Sequence, residues 1–367
     1  MSENLIYGAD ITAYGAIGDG KTDCSDAFIK AIENGESLIC IPFGTYLITK
    51  PIVLGSNIKL HFHKSACVKF VPAQKDKKPL FCAKNGASVE ICGGIFDVYE
   101  KALLTSVMEF DACENVRVSD CTINAPHAQA SVLLKYTDAC IISGVTFNGM
   151  SDCVKLIGEC DGITVKNSTV KAAANVLQLG EAKAGADVKN LCVRNINVTF
   201  CDSFFEFLGG CASFVEAENI EARISFSFAK LFDSFNLEDC EFEGIKAYLI
   251  DRGLNEGKTK CYFSFASCPD GLEIRDFVRV SDMESTPHAP TFILKNTNAD
   301  KAKLLIDGMT LDNVIAARGK SKTVSMTTAK LSNPCGKFIY TLEVGVDKED
   351  TLTLPLGGFD YMSINRH

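Results

Sequence analysis

Apolar and polar positions alternate with period two through the middle of the chain, and the alternating unit recurs. Residues 115–123 (NVRVSDCTI), 139–147 (ACIISGVTF), 162–170 (GITVKNSTV) and 190–198 (NLCVRNINV) share it, with weaker copies at 219–224 and 235–242. Period two is strand geometry, and Val, Ile, Phe, Thr and Cys dominate the unit where a helical repeat would place leucines. After each copy comes a small or polar bend, as at Asn124, Ala125 and Pro126. A second short apolar strand follows the bend, around Val132, Val154, Val176 and Phe205. The copies recur about every 23 to 29 residues, the length of one solenoid turn. The pattern therefore predicts an all-β chain, a right-handed parallel β-helix whose rungs bury their inner face only by stacking.

A solenoid end exposes strand edges and needs a cover. Asp23 and Asp26 have the spacing of a capping box. Ala27, Phe28, Ala31 and Ile32 fall on one helical face, and Gly35 marks the helix end. We expect an amphipathic helix here, plugging the first turn. The chain then reads as one β-helix domain over 1–367: a cap over 1–50, rungs over about 51–280, and a late rung with capping strands over about 281–367. Within the last part, 302–311 has the character of a rung, and 323–326 and 338–344 that of covering strands.

Composition narrows the partners. The chain has 367 residues, 47% of them hydrophobic, and a net charge of −9. An acidic chain argues against nucleic acid as the main partner. No apolar run reaches the length of a membrane span. Seventeen cysteines, an odd number without framework spacing, lie largely in apolar strand runs. They read as small buried hydrophobes in a reducing compartment. No signal peptide is visible, so we expect a cytoplasmic protein, secreted only if a leader has been trimmed. No residue set calls for a cofactor or metal; His61 and His63 lack a third ligand and read as structural. Homo-oligomerisation is left open.

The stretch 14–23 (YGAIGDGKTD) resembles the opening of polygalacturonase-type glycoside hydrolases (glycoside hydrolase family 28-like) and of the wider pectate-lyase-like β-helix group. Residues 41–48 (IPFGTYLI), 56–66 (SNIKLHFHKSA) and 93–97 (GGIFD) resemble the segments that follow in that family. The resemblance implies a β-helix acting on a saccharide. The opening is a structural cap shared by hydrolases, lyases, epimerases and viral tail proteins, so it speaks for fold more than for chemistry. The polygalacturonase motifs Asn-Thr-Asp, Gly-Asp-Asp, Gly-His-Gly and Arg-Ile-Lys, matched rung by rung, fall on residues 150–152, 173–175, 202–204 and 248–251. Only Asp152 keeps an acid in its place, and ordinary polygalacturonase activity is not expected. The chain also lacks tryptophan, the best sugar-stacking side chain, leaving Tyr and Phe to substitute.

Strand alternation nominates other residues. Between inward Val154 and Leu156, Lys155 points outward; Gln178, Glu206 and Lys230 do the same on later rungs. Rungs lie about 4.8 Å apart, so these four would form a polar stripe with Asp152 and Asp202 at its edge. Asp152, Glu206 and Asp202 are the candidate acids and bases. Lys155, Gln178, Lys230, His127, Asp251 and Arg252 are the candidate saccharide contacts, and Glu181 is a further turn charge. The alternative is an ordinary solvated sheet face. The leading expectation is a divergent carbohydrate-active protein, a glycoside hydrolase on an oligo- or polysaccharide that can include uronic acid. The alternatives are a lyase or uronate epimerase with lysine as base, and a non-catalytic sugar-binding or tail-fibre-like β-helix.

Overall fold

The computed structural model describes residues 8–72, 77–99, 104–181, 183–232, 234–250, 260–266 and 270–281, and five later strands by their backbone. The fold is a parallel β-helix with one helix near its N-terminus. Contacts divide it into two compact units. One runs to Lys155 and takes in Glu159–Ala173; the other comprises Leu156–Gly158 and the chain from Ala174 onward.

In the first unit, short strands stack into three parallel ladders. One contains Ile52–Leu54, Phe81–Lys84, Ser106–Asp111 and Ala130–Lys135. A second contains Thr45–Ile48, Cys67–Phe70, Ile95–Val98, Thr122–Asn124 and Thr146–Asn148. A third contains Leu38–Ile41, Ile58–Phe62, Ala87–Cys92, Glu114–Ser119 and Ile141–Ser143. Alternate residues point inward and are fully buried, among them Phe62, Phe81 and Phe96, whose rings meet edge-on or tilted.

The repeated unit is a bent pair of strands, not the single strand its alternation suggests. Glu114–Ser119 and Thr122–Asn124 flank Asp120, which is left-handed at φ 54°. Gly144 at φ 67° and Asn167 at φ 50° hold the same corner in the next copies. Asn, Asp and Gly tolerate this conformation best. A Cβ on Gly144 would also lie 2.4 Å from an Asp120 side-chain oxygen.

The helix Ser25–Glu33 buries Ala27, Phe28 and Ala31, with Phe28 stacked against Phe62 at 6.4 Å. Ile32 is only half-buried. The expected capping box does not form. Cys24 is the N-cap and makes no side-chain capping bond. Asp23 instead accepts from the Ser25 backbone N–H at 2.9 Å and from Thr49 Oγ1 at 2.6 Å, tying the helix start to the neighbouring strand. Asn34 is the C-cap, and Gly35 follows at φ 82°.

In the second unit the strands lengthen until each runs through its corners: Ala186–Phe207, Gly210–Leu231 and Phe235–Leu249. They pair in parallel, with Leu191 opposite Val215 and Ile220 opposite Ile245. The core is aromatic. Phe205 packs against Phe204 at 4.8 Å, Phe207 at 5.4 Å, Phe228 at 5.9 Å and Phe242 at 5.4 Å. Further on, Lys301–Asp307 pairs in parallel with Asp270–Arg275. Its other neighbour, Ile339–Val346, is antiparallel and also pairs antiparallel with Val324–Met326.

No disulfide joins the described cysteines. No described helix is long and apolar enough to cross a membrane.

Candidate functional site

The second unit carries the strongest polar constellation on an outward face. Phe205 and Phe207 point inward and are fully buried, so Glu206 between them must point out. The ladder sets Phe205 against Ala229, Glu206 against Lys230 and Phe207 against Leu231. Lys230 in turn stands opposite Ser264. The Leu208 N–H donates to the Leu179 carbonyl at 2.9 Å, which brings the Gln178 strand alongside. Gln178, Glu206, Lys230 and Ser264 therefore follow one another on successive rungs.

Glu206 is held from both sides. Lys230 Nζ lies 3.1 Å from its Oε1, and Asn175 Nδ2 donates to its Oε2 at 3.0 Å. The carboxylate side chain is 17% exposed and the lysine 39%. Lys230 Nζ also lies 4.4 Å from the centre of the Phe232 ring, within cation–π range. Gln178 is 9% exposed, more covered than an open solvated face allows. Four residues before Glu206 on the same strand, Asp202 Oδ1 accepts from Ser225 Oγ at 2.6 Å, and next to it the buried hydroxyls of Ser203 and Ser227 meet at 3.2 Å. Beside them the Cys201 thiol is pushed far up by burial, and next by the Asp202 charge, which makes it a poor nucleophile.

Asp152 and Lys155 belong to the first unit. Asp152 is 8% exposed, and its backbone N–H donates to the Gln129 carbonyl at 3.0 Å. Lys155 is half-buried, and His127 is exposed in the bend before Ala130–Lys135. Asp251 and Arg252 lie outside the described residues. Glu181 closes a tight turn, exchanging backbone hydrogen bonds with Ala184.

Sequence reading missed several polar groups. Asn175 was passed over as the non-acid in a motif position, yet it orients Glu206. Phe232 follows the last alternating residue, where period two gives no guidance. In the first unit, Lys135 pairs with Glu109 at 2.8 Å. There too, Asn124 donates to Asp97, and Asn148 Nδ2 donates to Asn124 Oδ1 at 3.1 Å. The polar spacing of these residues one turn apart was a visible signal for that ladder. No group of three potential metal ligands occurs among the described residues.

Comparison with known proteins agrees with this architecture. Residues 9–61 match the family model described as rhamnogalacturonase A/epimerase, pectate lyase-like. A probable polygalacturonase of Arabidopsis thaliana is 24% identical over 239 residues, covering 51% of each chain. The preneck appendage protein of Bacillus phage PZA is 40% identical over 73 residues, which are 19% of this chain and 8% of that protein. The chain thus spans about half the length of the polygalacturonase and a small part of the appendage protein. Among solved structures, a family 28 exopolygalacturonase of Yersinia enterocolitica covers 79% of this chain and 73% of its own. Its TM-score is 0.56 and its identity 13%. An E. coli bacteriophage tailspike protein, solved in complex with a pentasaccharide, covers 80% of this chain and 61% of its own. Its TM-score is 0.59 and its identity 16%. At these identities the structural likeness is one of fold.

Proposed function

We propose that this chain, a polygalacturonase-like protein of the pectin-lyase-like β-helix group, is a divergent glycoside hydrolase acting on an oligo- or polysaccharide. The observation that carries the reading is the Glu206 carboxylate, fixed on an outward face between Lys230 Nζ and Asn175 Nδ2. A glycosidase needs a carboxylate held in one orientation and a second acid near it. Both of its oxygens receive hydrogen bonds, which fix its orientation and keep it ionised. In this reading Glu206 takes a proton from water as the water oxygen bonds the anomeric carbon. Asp202, on the same strand, protonates the leaving glycosidic oxygen as the carbon–oxygen bond breaks. Asn175 and Lys230 orient the base. Asp152, which matches the family's one retained acid position, has no step in this scheme.

A binding-only reading has its own support, because a carboxylate already engaged at both oxygens also suits a static recognition face. Lysine-based elimination is less favoured, since Lys230 Nζ is committed to Glu206. The test is incubation with a panel of oligosaccharides, following new reducing ends and, separately, the absorbance of unsaturated uronate. Hydrolysis predicts reducing ends without that absorbance, and a loss of roughly 100-fold or more in rate for Glu206→Gln and for Asp202→Asn. Saccharide binding without reducing ends from any substrate would sink the hydrolase in favour of the binding reading; unsaturated product would favour the lyase.

A further inference from the structure

The corners of this fold are held by left-handed residues, and two of them are out of keeping with the rest. Among the described residues, the left-handed positions that are not glycine hold Asn, Asp, Ser or Ala, except Tyr136 at φ 49° and Phe214 at φ 58°. A bulky side chain strains this conformation, and such strain persists where something selects for the side chain itself. Core packing does not select for either ring: Tyr136 is 57% exposed and Phe214 54%. Among the described residues the Tyr136 hydroxyl makes no side-chain hydrogen bond, and its ring meets no other ring or cation.

The setting of Tyr136 tells what its ring serves. It ends the strand Ala130–Lys135, in the first unit. It follows Lys135 as Ala112 follows Asp111 and Asn85 follows Lys84, and those three charged residues stand opposite one another in register. Ala112, the nearest corner residue on the rung before, is too small to cover a phenol ring. Alongside, Lys135 Nζ meets Glu109 Oε1 at 2.8 Å, the two side chains 30% and 18% exposed. Glu109 stands opposite Leu133. The bond from the Asp152 N–H to the Gln129 carbonyl sets Lys155 opposite Leu133 on the other side. Glu109, Leu133 and Lys155 thus form an outward row close to the corner that carries Tyr136.

We propose that Tyr136 is a stacking platform for one pyranose ring of a bound saccharide, an inference that rests on the saccharide reading above. A pyranose has a face of C–H groups that packs on an aromatic ring and an edge of hydroxyls that seek hydrogen bonds. The phenol supplies the surface, and Glu109, Lys135 and Lys155 supply the polar edge. Glu109 and Lys135 need not part to do so, because a carboxylate has about four acceptor sites and an ammonium three donors. Phe214, in the second unit, has the same strain and exposure in a different setting, within a ladder where Glu238 stands opposite Ser213 and Glu241 opposite Glu216. It serves as the control.

The experiment measures binding and stability on whole-chain variants, by titration calorimetry with a galacturonate hexasaccharide and a neutral galactose hexasaccharide and by urea unfolding. Tyr136→Asn is expected to raise the urea midpoint, because Asn tolerates the left-handed corner, and to weaken saccharide binding at least about fivefold. Tyr136→Phe keeps the ring and is expected to bind within about twofold of the unsubstituted chain. Phe214→Asn is expected to raise the midpoint and leave affinity unchanged. In the unsubstituted chain, saturating saccharide should slow nitration of Tyr136 by tetranitromethane several-fold, read by mass spectrometry of the peptide; this needs no variant to fold. Full affinity in Tyr136→Asn, an equal loss in Phe214→Asn, or undiminished nitration in a chain that binds saccharide would overturn the inference and leave the saccharide reading standing. A lower urea midpoint for Tyr136→Asn would show the ring to be held for the fold and would overturn it as well. Binding of neither saccharide at millimolar concentration would overturn both.

Discussion

Phe205→Ala removes the ring about which the second unit's aromatic core is arranged. The side chain is fully buried and touches Phe204, Phe207, Phe228 and Phe242. Transfer of a ring of this size from water to the core contributes about 1.5–3 kcal/mol. Measured truncations of buried phenylalanine cost about 3–5 kcal/mol, the cavity included. Against the roughly 5–15 kcal/mol that holds a typical domain folded, that is a large fraction. Phe205→Leu keeps most of the volume and is expected to cost about 1–1.5 kcal/mol. The chain has no tryptophan, so urea unfolding is best followed by far-ultraviolet circular dichroism. Hydrogen exchange then localises the effect. In a stack of rungs the loss is shared first with nearest neighbours, so amides in Ala186–Phe207, Gly210–Leu231 and Phe235–Leu249 should lose protection before those of Ile58–Phe62 and Ala87–Cys92. Because Phe205 fixes the backbone on which Glu206 stands, saccharide binding should weaken as well. A cost below about 1.5 kcal/mol for the alanine variant, or protection lost evenly along the chain, would refute the assignment of Phe205 to the centre of this core.

Three further outcomes are expected. Gly210→Ala places a Cβ 2.0 Å from the Ala186 carbonyl oxygen at a backbone φ of 116°, and should cost upwards of about 2 kcal/mol or prevent folding; wild-type solubility and urea midpoint would contradict the close approach. Burial works against the Asp23 charge, but hydrogen bonds from Ser25 and Thr49 and the nearby Lys50 outweigh it, so its pKa lies below the ordinary 3.8. The depressed value means that Asp23 stabilises the fold above pH 3.8 and that this contribution is lost as pH falls through the lower folded value. Asp23→Asn should therefore flatten the acid limb of stability against pH, and an unchanged limb would remove Asp23 from that role. The Cys67 thiol is pushed up to about 11, first by burial and then by Asp97. Alkylation at pH 8 should be slow and should quicken several-fold in Asp97→Asn, as read by mass spectrometry of the labelled peptide.

Much of the fold was legible because alternation is a direct record of which side of a strand faces the core. The same rule sets Glu206 and Lys230 on one outward row, where the ladder pairs them. It failed where the chain turns. Positions 115, 139, 162 and 190 carry Asn, Ala, Gly and Asn, and positions 120, 144, 167 and 195 carry Asp, Gly, Asn and Asn. All are left-handed, so each copy starts at one corner and holds a second inside it, between two strands in the first two copies and within a continuous strand in the last two. The recurrence of Asn, Asp and Gly at a fixed place was the signal, hidden because the apolar positions on either side keep their rhythm. Asn175 escaped for a related reason. It precedes Gln178 by three residues and reaches Glu206 across a rung, a relation that depends on three-dimensional register and not on alternation. The helix starts one residue later than the capping-box spacing predicts: Asp23 accepts from Ser25 through one oxygen and from Thr49, remote in sequence, through the other.

Four contacts in the second unit join residues 24 positions apart: Asp187 with Cys211, Asn195 with Asn219, Ser203 with Ser227, and Glu206 with Lys230. The shared increment between Ala186–Phe207 and Gly210–Leu231 makes this turn a unit of inheritance. Excising residues 186–209 would join Gly185 to Gly210, carry Ala212 to the place of Val188, and seat Lys230 where Glu206 had been. Inserting a copy would do the reverse and set a second Glu206 in the row. Such a chain can alter the charge of this outward row by gaining or losing whole turns, with Ala212 taking the place of Val188 and Ala229 that of Phe205 in the core.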